Sequence, residues 1–461
     1  MRILAAASRL VERTAARTAV RIEEADGWLI ALGVFAVLAV VYFATADVGR
    51  DSVSPDTVAA ALPAWAWATH HTLYLDRVAV PNIWEYQPKA HVVSNRTPGV
   101  VFFSIPFYLA VGRSAIFSMF AACLAAATAA AGSAAFLFAA IRRLCGANRA
   151  LIATAVFAFG TATWSVAADT LWPHGPDELF LAAAMYFLSR NRALLSAISV
   201  ALAVPIRAHV AAFALVAGVW LAVRRRSAWP LVTFGLPSGI TLFLLCLYNH
   251  WMFGTWAISG GYPYVNHDLA ALSGSGHVNF PIDVLGALVS TDRGLLVWCP
   301  LIVVLAFALR PAWRLAPDWV RISAVAAVGY FLIQMKLNYF SGGDRFWSYR
   351  LTLEPLILLT PLLVLAAVEV SRRHRLWGGG AVAAAVYGVG TQAIGAIFWT
   401  PDDLVHHSPW SYSHLAHELR YAGWGPRVVM IVTVALMLYA IGVRLRPRQP
   451  AEPAIELAAS A

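Results

Sequence analysis

Two aspartates, Asp51 and Asp56, follow the first apolar run of this chain, Trp28 to Ala46 (WLIALGVFAVLAVVYFATA). That run carries no charge and is long enough to cross a bilayer. A carboxylate just beyond the end of a span can take the proton of a hydroxyl or orient that hydroxyl for attack. Asp56 comes directly after Ser54-Pro55, at the start of a helix-like stretch. It therefore serves either as such a base or as a cap for that helix; Asp51 is the second candidate. Later in the same polar stretch stand Lys89 and Arg96, and further on Arg293, Arg345 and Arg350, all near the ends of apolar runs. Fixed cations of this kind suit an anionic phosphate. Their bland alternative is contact with lipid headgroups, open to any arginine beside a membrane. Arg96 ranks first because it precedes the turn at Pro98.

The elements that must position these groups are membrane helices. The chain has 461 residues, is 60% hydrophobic and only 13% charged, and has a mean hydropathy of +0.67. Soluble domains are nearer half apolar and a quarter charged. After the first run, apolar stretches recur at about 114–141, 150–168, 177–189, 193–206, 208–223, 229–249, 294–310, 319–335, 351–369, 376–398 and 426–443. With the N-terminus inside and one crossing per run, arginines such as Arg142, Arg143, Arg190, Arg224, Arg225, Arg310, Arg372 and Arg444 all fall in inner loops. The fold class expected is an all-α polytopic membrane protein of about 12 transmembrane helices, both termini cytoplasmic. This count holds only if Pro98–Gly112 (PGVVFFSIPFYLAVG), short and broken by Pro106, does not cross. Residues 1–26 read as a basic cytoplasmic leader, amphipathic or disordered. Residues 27–445 form one transmembrane domain with a long first outer loop at 47–113, and 446–461 a disordered cytoplasmic tail. Ala44-Thr45-Ala46 resembles a signal-peptide cleavage site, but the long basic leader favours an uncleaved first span.

Several local strings carry a resemblance. SPDTVAAALPAWAW, TLYLD and SNRTPGVVFFSIPFYLAVG are followed by DTLWPHGPDELFLAAAMYF, YNHWMFGTWAISGGY, STDRGLLVWCPLIVVL and GGDRFWSYRLTLEPLILL. In this order, from about 50 to 365, they resemble an uncharacterised bacterial branch of the GT-C integral-membrane glycosyltransferases. That class implies a long first extracytoplasmic loop with surface helices and an active site on the outer face of the plasma membrane. It implies transfer of a monosaccharide from a polyprenyl-phosphate donor to a cell-envelope glycan, lipid or protein. In such enzymes the first and second outer loops meet, which makes Asp169, His174 and Asp177 of the loop DTLWPHGPDE candidates for sugar or acceptor contacts. The chain departs from better-studied members, which carry an adjacent acidic pair and a Lys-Pro-Pro string. Here Asp51 and Asp56 are separated, and Arg96-Thr97-Pro98 stands in place of that string. The Arg- and Ala-rich composition, with Lys89 and Lys336 its two lysines, points to a high-GC actinobacterial genome. The resemblance there implies decaprenyl-phosphate arabinose or mannose as donor.

Such a transfer asks for a carboxylate at the acceptor hydroxyl and a cation at the departing lipid phosphate. Arg207, beside Pro205 at the edge of an apolar stretch, is the one notable charge within such a stretch. The expected partners are the polyprenyl-phosphate-sugar donor, its acceptor and membrane lipids, with no nucleic acid. The net charge of +10 reflects inner-loop arginines. Cys123, Cys145, Cys246 and Cys299 show neither a disulfide pattern nor a metal-thiolate spacing. His414 and His417 have His-x-x-His spacing without an evident third ligand. No protein-ligated metal is therefore assigned and no cofactor is certain; a divalent cation stays open, since some membrane transferases of this kind use one and others do not. The competing class is a transporter or lipid-linked-sugar flippase. Such proteins show paired repeats and interrupted helices, and neither is visible in the sequence.

Overall fold

The computed structural model describes residues 27–48, 54–76, 78, 85–86, 91–261, 279–343, 345–373, 375–400 and 408–445. The leader 1–26 and the tail 446–461 lie outside the described residues, as do Asp51 and Lys89. The helices are α1 (Gly27–Thr45), α2 (Pro55–His70), α3 (Pro98–Val111), α4 (Phe120–Ile141), α5 (Ala147–Gly160), α6 (His174–Ser189), α7 (Ala193–Ala203), α8 (Ala211–Arg225) and α9 (Trp229–Phe253). They continue with α10 (Phe280–Val289), α11 (Leu295–Trp298), α12 (Leu301–Ala306), α13 (Leu309–Leu315), α14 (Asp318–Leu337), α15 (Leu353–Arg373), α16 (Arg375–Ile397), α17 (His414–Tyr421) and α18 (Trp424–Leu445). Among the described residues eight helices are long and apolar enough to cross a bilayer: α1, α4, α8 with its preceding turn, α9, α14, α15, α16 and α18. The chain is thus an all-α polytopic membrane protein. Besides the helices it has a two-residue antiparallel ladder, β1 (Glu85–Tyr86) on β2 (Val93–Ser94), pairing Glu85 with Ser94 and Tyr86 with Val93.

Small residues set the packing. α4 is a run of alanines with one glycine, and most of it is buried against α1 and α6. Without large side chains its backbone can approach its neighbours closely. A Cβ at Gly132 would meet Leu179 of α6 at 2.8 Å, and one at Gly388 would meet the Gly160 carbonyl at 2.8 Å, where α5 crosses α16. α6 is the central helix and packs on α4, α7 and α15.

Proline and local polar groups decide where helices break. α7 stops at Ala203 before Pro205, and the chain resumes through a 3₁₀ turn, Ala208–Val210. The run 294–310, read from sequence as a single span, is broken into α11, α12 and α13. Pro300 has no N–H to continue the ladder of α11, and a second break falls at Phe307–Ala308. The run 150–168 ends as α5 at Gly160 and is followed by a π-turn, Thr163–Ala167. The segment Pro98–Gly112 holds the short helix α3, with Pro106 inside it, packed on α2 and α4.

Candidate functional site

Asp56 sits in the first turn of α2, but it is not the residue whose side chain caps that helix. Ser54 is the N-cap: its hydroxyl accepts the Asp56 N–H, and Pro55 takes the first helical position, where a missing N–H costs nothing. The Asp56 carboxylate is turned to two arginines. Oδ1 accepts from Arg96 Nη2 at 2.9 Å and Oδ2 from Arg350 Nη1 at 3.1 Å. Asp56, Arg96 and Arg350 are each largely shielded, with side-chain exposures of 17%, 6% and 15%. Two of the expected phosphate cations thus flank the expected base.

Each arginine is held by local structure. The Ser94 hydroxyl donates to the Ala59 carbonyl of α2 at 2.6 Å and accepts the Arg96 N–H at 3.2 Å. Arg96 Nε donates to Asn95 Oδ1 at 3.1 Å. The following turn docks on the break after α7. Thr97 Oγ1 donates to the Ile206 carbonyl at 2.8 Å, and the Gly99 N–H donates to the Pro205 carbonyl at 3.0 Å. Only a glycine fits there, since a Cβ would stand 2.4 Å from the Ile206 nitrogen. Arg350 stacks over Trp172 at 4.4 Å and also donates to the Gly342 carbonyl. Gly342 and Gly343 have φ of 67° and 88°, which lets the 339–343 turn curl back toward Arg350. Burial pulls the Arg350 guanidinium below its usual proton affinity; Arg207 and Arg96 add to this and Asp56 opposes it.

Arg207 anchors a second cluster beside the first. Its Nη1 lies 3.1 Å from Glu354 Oε1 and 3.0 Å from His174 Nδ1, and His174 Nδ1 is 2.7 Å from the same carboxylate oxygen. Glu354 and His174 are fully enclosed. Shared donors and an opposite charge satisfy a carboxylate that would be costly alone. Thr163 of the π-turn donates to Glu178 at 2.9 Å. Neither oxygen of the buried Asp177 has a hydrogen-bond partner among the described residues.

The remaining candidates have other surroundings. Asp169 lies where the segment after α1 meets the segment before α6, its carbonyl accepting the Asp47 N–H at 3.3 Å. Arg293 is a structural clamp: Nη1 donates to the carbonyls of Phe346 and Ser348, both at 2.8 Å, and its guanidinium stacks on Phe346 at 4.0 Å. It thereby fixes the segment that carries Arg350. Arg345 is half-buried with φ of 60°. His414 pairs with Asp292 at 2.7 Å. Burial pushes the Asp292 carboxyl up, but Arg293 and His414 outweigh it and hold the carboxyl below its ordinary value. Among the described residues no group of three His, Cys, Asp or Glu side chains is arranged to hold a metal.

Glu354 and Trp172 are site residues that the sequence reading did not select. Glu354 had a legible signal, an acid just inside an apolar run. Trp172 carries no comparable signal in the sequence, and only the fold brings it against Arg350. No protein-family model matches this chain, and no curated protein is similar to it at a significant level.

Proposed function

We propose that this chain is a membrane glycosyltransferase of the GT-C type, with about 12 crossings. Beyond the eight long helices, such a count needs α5, α6, α7 and the broken segment 294–310 to cross, with α3 at the surface. It moves a monosaccharide from a polyprenyl-phosphate donor to an acceptor hydroxyl on the outer face. The observation that carries this reading is Asp56 held between Arg96 and Arg350. Phosphate is the natural competitor for two guanidiniums already bound to a carboxylate. When the donor phosphate takes Arg96 and Arg350, Asp56 is released from these two arginines and becomes available to an acceptor hydroxyl. As the bond from anomeric carbon to phosphate oxygen breaks, the arginines neutralise the departing phosphate and Asp56 takes the hydroxyl proton. The Arg207–Glu354–His174 cluster fixes the floor of the same region, and Trp172 offers its ring as a rigid wall.

The test is incorporation of radiolabelled sugar from a panel of polyprenyl-phosphate donors by membranes with and without the protein. Transfer from one donor, dependent on the protein, is the expected result. The broken segment of α11, α12 and α13 favours a second reading, a transporter or flippase, because such proteins use interrupted helices. No transfer from any donor, together with protein-dependent flux of a lipid-linked sugar across vesicles, would establish that reading instead.

A further inference from the structure

A second charged site lies at the opposite end of α6. His174 begins that helix, while Ser189 and Asn191 at its other end line a cavity of about 560 Å³. Arg143, Arg224 and Arg225 line the same cavity, with Asp318 as the one carboxylate among its described lining residues. Three arginines against one aspartate leave the cavity strongly cationic. Arg224 Nε is paired with Asp318 at 3.2 Å. Arg143 and Arg225 are exposed and make no ion pair among the described residues. The inner wall is apolar, formed by the buried side chains of Leu188, Leu221 and Ile322. Arg225 ends one candidate span and Asp318 begins another, so the cavity stands at a span end, the level of lipid headgroups.

We infer that this cavity is a binding site for an anionic phospholipid, with Arg143 and Arg225 on its phosphate and Leu188 and Leu221 against the start of its acyl chains. The commitment to a lipid over a free anion rests on the pairing of a cationic rim with an apolar wall. Its volume lies within the usual range of ligand cavities. The site is independent of the Asp56 region, from which the length of α6 separates it.

The experiment titrates the detergent-solubilised full chain with a fluorescent phosphatidylglycerol. Saturable binding is expected, displaced by unlabelled phosphatidylglycerol and unaffected by millimolar inorganic phosphate. The double variant Arg143→Gln/Arg225→Gln weakens it at least tenfold, whereas Arg113→Gln, outside the cavity, leaves it unchanged. Asp318→Asn, which frees Arg224, tightens it and guards against a loss that merely reports misfolding. Equal binding by the double variant, displacement by inorganic phosphate, or weaker binding by Asp318→Asn would overturn the assignment.

Discussion

Asp56 and Arg350 are 294 positions apart in the chain and 3.1 Å apart in the fold. The contact joins the start of the first loop helix to the residue that leads into α15, so one ion pair ties the two ends of the candidate site together. Arg96 completes it from the far end of the first loop. If phosphate recognition depends on this shared carboxylate, the geometry of Arg350 matters as well as its charge. A lysine there would keep the charge but lose the fork and the stacking on Trp172. Arg350→Lys is expected to raise the KM for the donor about tenfold, with a smaller change in kcat. An unchanged KM would remove Arg350 from donor binding.

The docking of the Thr97–Gly99 turn on Pro205–Ile206 is what aims Arg96. Gly99→Ala would place a methyl group 2.4 Å from a backbone nitrogen that cannot move independently. The start of α3 should shift, at a cost of about 1–3 kcal/mol typical of overpacking. Both a lower thermal midpoint and weaker transfer are expected. Wild-type behaviour in both would mean that this turn does not position Arg96.

Much of this was readable from residue order and some was not. Asp56, Arg96 and Arg350 stood out as charges near span ends, and the fold brings all three into contact. The alternative role for Asp56, capping its helix, was equally legible, and Ser54 takes it instead. Arg293 illustrates the opposite outcome. Its type and location matched a phosphate ligand, but its Nη1 donates to the Phe346 and Ser348 carbonyls and its Nε faces Asp292. Sequence order carries no record of which backbone carbonyl will need a donor. The apolar run 294–310 likewise read as one crossing, because a hydropathy pattern does not register the two breaks that divide it.

Glu354 holds two partners through one oxygen in a fully enclosed place. Glu354→Gln would take the Glu354 charge away from Arg207 and remove the carboxylate beside His174. Breaking a buried pair from one side costs about 3–5 kcal/mol. The midpoint of denaturant unfolding in micelles should fall accordingly. An unaltered midpoint would show that the fold does not depend on the Glu354 charge.

The Asp292–His414 contact provides a pH test. Arg293 and His414 hold the Asp292 carboxyl below its ordinary value. A carboxyl with a depressed folded value contributes its full stability above the unfolded value of about 3.9. That contribution disappears as pH falls through the lower folded value. Acidification below about pH 4 should therefore release the 408–414 segment from the 290–294 turn, read out as a change in tryptophan fluorescence, since Trp298 donates to the Asp292 carbonyl. Asp292→Asn should be less stable at neutral pH and show a flatter acid limb. An unchanged acid limb would contradict the pairing.

The most direct measurement is transfer by purified protein in liposomes containing the polyprenyl-phosphate sugar that membranes identify as donor, comparing the wild type with Asp56→Asn. The amide keeps the size of the carboxylate but cannot accept the hydroxyl proton. The proposed role predicts a loss of kcat of about 10²–10⁴-fold in a variant that remains folded. Transfer by Asp56→Asn at the wild-type rate would contradict it.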